Sequence, residues 1–106
     1  MAAPPLPPVR LRPEEIAAVK RIIAEHFGPD AEVRVFGSRA RLDARGGDLD
    51  LHVVVSGEAP GWLAEDRAAN EIERALDELH VDLLLLGARD APRRIDEVAI
   101  STGVLL

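Results

Sequence analysis

At 106 residues, 47% of them hydrophobic, the chain is sized for one small domain around one core. It contains no cysteine, no apolar run near the ~20 residues of a membrane helix and no basic-then-apolar start, which excludes disulfides, thiolate metal sites and a membrane span and makes a cytoplasmic location the expectation. A formal net charge of −6, with two Phe, one Trp and no Tyr, argues against a protein that grips a nucleic-acid backbone and stacks its bases.

Residues 2–8 read Ala-Ala-Pro-Pro-Leu-Pro-Pro, so residues 1–12 are expected as a Pro-rich flexible arm before a single domain over 13–106. Pro13, with Glu14 and Glu15 beside it, suits a first helical turn. Ile16, Val19, Ile23 and Phe27 continue it as an apolar stripe, and Gly28-Pro29 stops it. Glu32 to Phe36 alternates as a half-buried strand. Ser38 to Leu42 reads as a short helix or turn, and Asp43 to Gly47 as a loop. Leu49 to Val55 reads as a second strand.

Leu63 to Leu79 is the longest predicted helix, with Ala68, Ile72, Ala75, Leu76 and Leu79 on its buried face. Trp62 opens it, in a packing role. Val81 to Leu86 is nearly all apolar and reads as a central strand covered on both faces. Asp90 is expected to cap a last helix with Pro92 in its first turn and Ile95, Val98 and Ala99 facing inward. Val104 to Leu106 can add a short strand. The pattern is α/β, a small mixed sheet with covering helices.

The chemistry concentrates in Phe36-Gly37-Ser38-Arg39-Ala40-Arg41 and Gly47-Asp48-Leu49-Asp50-Leu51. Strand residues i and i+2 share one face, so Asp48 and Asp50 project together and offer oxygen ligands to Mg²⁺ or Mn²⁺. The Gly-Ser turn offers backbone N–H groups to phosphate oxygens. Arg34, Arg39, Arg41 and Arg45 form a local cationic group suited to a small anion. Asp82 interrupts an apolar strand, where a carboxylate is costly unless paired or metal-bound. Its strand should run parallel to that of Asp50, with the long helix as the crossover, and the strand before Gly37 should run antiparallel. His52 shares the strand face of Asp50 and reads as a hydrogen-bonded histidine rather than a ligand. His26 and His80 carry no motif.

Gly37-Ser38, Asp48-x-Asp50 and the lone acid in Val81-Asp82-Leu83 resemble the DNA polymerase beta-like nucleotidyltransferase superfamily, over about Glu14 to Leu106. The GSRAR form resembles its minimal nucleotidyltransferases. One departure is Gly47, where many relatives carry Ser. The resemblance implies that Asp48, Asp50 and Asp82 are the catalytic and metal-binding acids, with Asp82 also the candidate general base. It implies nucleotide contacts from Gly37, Ser38, Arg39 and Arg41. Two Mg²⁺ or Mn²⁺ ions and ATP or another NTP are the implied cofactors and substrate.

The implied activity is transfer of NMP, AMP from ATP, to a hydroxyl. The chain leaves no residues for an acceptor domain, so the acceptor is expected on another chain. Small members of the family resemble the antitoxin half of HEPN–MNT toxin–antitoxin pairs, which implies a helical HEPN-like partner. A homo-oligomer stays open. The alternatives are a non-catalytic nucleotide-binding module that neutralises a partner, and a small-molecule modifier of the aminoglycoside type. A glycosyltransferase, which also uses Asp-x-Asp, leaves the Gly-Ser turn unexplained.

Overall fold

The computed structural model describes residues 7–43 and 46–106. Its described elements run α1 (Pro13–Phe27), β1 (Glu32–Phe36), a 3-10 turn (Gly37–Ala40), β2 (Leu49–Val55), α2 (Trp62–Ala75), β3 (Val81–Gly87), α3 (Arg94–Thr102) and β4 (Val104–Leu105). The strands form one sheet in the order β3-β2-β1-β4. β1 runs antiparallel to β2 and β4, and β2 runs parallel to β3. The mixed α/β architecture and both strand directions expected beside the site are therefore present. α2 is the crossover between the parallel pair.

Helix α1 starts at Pro13, and Glu15 three residues past the cap accepts the Arg12 N–H at 2.8 Å. That satisfies one donor that the helix start leaves open. Gly28, at φ 94°, ends the helix with its N–H on the Ala24 carbonyl. The buried stripe is Ile16, Val19, Ile22 and Ile23. These side chains and Ala68, Ala69 and Ile72 of α2 meet the sheet face made by Val33, Val35, Leu49, Leu51, Val53, Val55, Val81, Leu83 and Leu85. Each fully buried Ile or Leu contributes roughly 1.5–3 kcal/mol. The opposite sheet face carries Asp50, His52 and Val54 of β2 and is crossed by α3.

Several expectations are corrected. β3 lies at the sheet edge, not the centre. It reads as central because both faces are largely covered, and because side chains cap its free edge. Glu73 accepts the Val81 N–H at 2.9 Å, and Arg93 donates to the Leu85 carbonyl at 3.1 Å. Capped edge groups remove the usual liability of an edge strand. Helix α2 ends at Ala75, short of Leu79, in a left-handed pair at Asp77 and Glu78. Ala75 is exposed and Ala69 buried. Trp62 is 72% exposed rather than packed. It sits at the C-terminal end of the parallel strands, opposite the acids.

The last helix begins at Arg94. Asp90 accepts the Gly87 N–H at 3.0 Å and so does not cap it. The later start rotates the inward face: Ile95 and Val98 are exposed, while Asp96 and Ala99 are buried. Within the stretch 1–12 expected as an arm, some of the described residues touch the domain. Val9 is only 7% exposed within the core, and Arg10 is hydrogen-bonded to the turn after β1. Residues 1–6 lie outside the described residues.

Candidate active site

The site forms where three segments converge: the turn leaving β1, the start of β2 and the start of β3. Antiparallel pairing sets Phe36 opposite Asp50, and parallel pairing sets Asp50 opposite Asp82. The chain direction thus carries Gly37 to the acids.

Gly37 has φ 72°, which a side chain disfavours. A Cβ built there would collide with the Asp50 carboxylate. The missing side chain is the space into which Asp50 fits. Gly47, at φ 85°, stands in the same relation to Ser38, since a Cβ at position 47 would collide with Ser38 Oγ. A Ser at position 47 would need Ser38 to move and would be strained at this φ. The N-cap position of the turn is Phe36, and Ser38 lies within the turn. A cleft of about 340 Å³ beside the turn is lined by Gly37, Ser38, Ala40, Arg41 and Thr102.

Ligand atoms of Asp48, His80 and Asp82 lie within 4.8 Å of one another, all on exposed residues. His80 Nε2 lies 3.2 Å from Asp82 Oδ1, and its Nδ1 lies 3.4 Å from Glu73. Burial raises the Asp50 carboxyl above the ordinary range, and the charges of Asp82 and Asp48 raise it further. Crowded carboxylates with too little positive charge nearby are what a divalent cation relieves. The donor set of carboxylate oxygens and one imidazole nitrogen fits such an ion.

The structure brings Asp48, Asp50, Asp82, Gly37 and Ser38 into one region. Of the arginines, Arg41 lines the cleft beside Gly37 and Ser38. Arg39 donates to the carbonyls of Gly47, at 3.2 Å, and Arg10, at 2.8 Å. Arg41 is exposed and lies 3.5 Å from Asp43. Arg34 pairs with Glu32 at 3.3 Å, and Arg45 lies outside the described residues. Sequence reasoning missed His80. The usable signal was its spacing, two residues before Asp82 and therefore on the same face.

His52 is fully buried, and its Nε2 meets Asp96 Oδ1 at 2.7 Å. Arg93 holds the same carboxylate through two nitrogens, at 2.9 and 3.0 Å, and through its backbone N–H at 2.7 Å. These bonds pull the Asp96 carboxyl far below the ordinary carboxylate range, with Arg93 the largest cause. His52 Nδ1 has no partner among the described residues.

The family model described as a nucleotidyltransferase domain matches residues 16–102. A chain in the crystal structure of a mutant of the toxin–antitoxin MntA–HpeT superposes with a TM-score of 0.64 at 19% identity, over 90% of this chain and 71% of that one. No curated protein matches in sequence.

Proposed function

Because this chain belongs to the nucleotidyltransferase domain family, we propose that it transfers AMP from ATP to a hydroxyl on a partner protein. The observation that carries the reading is the register pairing of Asp50 with Asp82 against a Gly37 turn whose shape admits the Asp50 carboxylate. Asp48, Asp82 and His80, with Asp50 beside them, would hold Mg²⁺ or Mn²⁺, two ions in the full form. Bound metal would supply charge neutralisation for the triphosphate and for the developing alkoxide. Gly37, Ser38 and Arg41 face the cleft and would bind the phosphates. The acceptor oxygen attacks the α-phosphorus, the bond to the bridging oxygen breaks, pyrophosphate leaves, and the hydroxyl proton passes to Asp82.

Asp48 and Asp82 are exposed, so an acceptor can approach from outside the chain. The fold it shares with a chain of a toxin–antitoxin complex supports a toxin as that partner; that the toxin is helical and of the HEPN kind, with the present chain as antitoxin, follows from the family resemblance and is part of the proposal. Intact-mass analysis of the partner copurified from the native host tests this. The expected result is a partner that gains AMP. The Asp82→Asn variant should lower transfer at least about a hundredfold and keep nucleotide affinity within about tenfold. Undiminished transfer by Asp82→Asn removes Asp82 as base. Rapid modification of a free aminoglycoside without any partner replaces the protein acceptor with a small molecule.

A further inference from the structure

The N-terminal segment does more than pack. Val9 anchors it in the core, and the next residue reaches across to both loops of the candidate site. The Arg10 backbone N–H donates to the Arg39 carbonyl at 2.9 Å. Its guanidinium donates to the carbonyls of Arg41, at 3.0 Å, Ser38, at 3.0 Å, and Gly46, at 2.7 Å. In return, Arg39 donates to the Arg10 carbonyl and to that of Gly47. The two guanidiniums thus tie the turn after β1 to the residues that lead into Asp48.

We infer that Arg10 is a positioning residue for the nucleotide site: its guanidinium locks the Ser38–Arg41 turn to the Gly46–Gly47 loop. The inference rests on the proposed nucleotidyl transfer. The physical case is one of satisfaction and order. Arg presents five donors in a rigid fork: among the described residues the Arg41 and Gly46 carbonyls accept from Arg10 alone, and the Ser38 carbonyl accepts from Arg10 beside the Arg41 N–H. A charge-assisted hydrogen bond is stronger than a neutral one. In a planar trans peptide the N–H points opposite the C=O. Fixing the Ser38 and Arg39 carbonyls toward Arg10 therefore turns the N–H groups of Arg39 and Ala40 away from it. Gly46 and Gly47 both have positive φ and little intrinsic rigidity, so the loop depends on external contacts for its shape. Arg10 lies in the stretch whose prolines suggested a flexible arm, and no motif marks it.

Residue-resolved amide exchange and calorimetric titration with Mg·ATP test the role on the full chain. Arg10→Ala should speed exchange at Ser38–Arg41 and Gly46–Gly47 at least about tenfold, leave β2 and α1 unchanged, and weaken Mg·ATP at least about tenfold. Arg10→Lys keeps the charge but not the fork, and should lose nearly as much. Arg12→Ala, which removes only the exposed ion pairs of its guanidinium with Glu14 and Glu15, should bind Mg·ATP as the wild type does. Unchanged exchange in Arg10→Ala, loss spread over the whole domain, or full affinity in Arg10→Lys would each overturn the clamp. Faster loop exchange in Arg10→Ala from a wild type that binds no Mg·ATP would support the clamp and count against the proposed function instead.

Discussion

At the scale of single residues, the site is a set of mutual fits. Asp50 lies where Gly37 has no Cβ, and Ser38 lies where Gly47 has none. The fit has an electrostatic cost. Asp50 is held above its ordinary pKa by burial and by Asp82 and Asp48. A group whose folded pKa is raised contributes stability below its unfolded value, near 4, and loses it as pH rises through the folded value. Asp50→Asn should therefore stabilise the metal-free protein at pH 7 and raise its melting temperature. The gain should vanish below about pH 4. Excess Mn²⁺ should reverse the order, because it stabilises only the variant that can bind it. Melting curves across pH, with and without Mn²⁺, check all three. A variant less stable than wild type at pH 7 without metal would show that Asp50 is supported by a cation-independent contact.

At the scale of elements, much was legible because local signals agreed. The ends of α1, β1 and β2 follow from Pro13, Gly28, the alternation of Glu32 to Phe36 and the apolar run after Asp50. Those signals are local, and so are the rules they obey. The failures are long-range. An apolar run such as Val81 to Leu86 reports covered faces and is silent about which edge is paired. Trp62 reads as core until the chain places it at the far end of the sheet. Helix α3 was read from its apolar residues, yet a buried carboxylate decides which face turns inward.

Asp96 caps the helix, takes two donors from the Arg93 side chain and meets His52 on the strand of Asp50. Removing it leaves His52 and Arg93 without their shared acceptor. Asp96→Ala should destabilise by about 3 kcal/mol near neutral pH. The folded Asp96 pKa is lowered, so its contribution is present above the unfolded value, near 4, and is lost as pH falls. Denaturant unfolding at pH 7 and pH 3 should show the gap between wild type and variant narrowing in acid. An equal gap at both would place the loss in packing.

At the scale of the whole molecule, the architecture explains why three acids distant in sequence share a site. Antiparallel β1 delivers the turn, and parallel β3 delivers Asp82 to the same end as Asp50. The sequence carries both directions once the acids are assumed to meet. His80 and Arg10 were harder to see because each acts through neighbours rather than through a motif. His80 joins the acids by strand parity, and Arg10 joins the loops through backbone carbonyls that no side-chain pattern records. A net charge of −6 repels a triphosphate in bulk, so the proposed function requires its binding to depend on metal. Calorimetric titration of ATP into wild type and into the Asp48→Asn, Asp50→Asn double variant, each with Mg²⁺ and with chelator, is the most direct test. The account predicts binding to wild type that needs metal and is lost in the double variant. Metal-dependent affinity that survives in the double variant would contradict it.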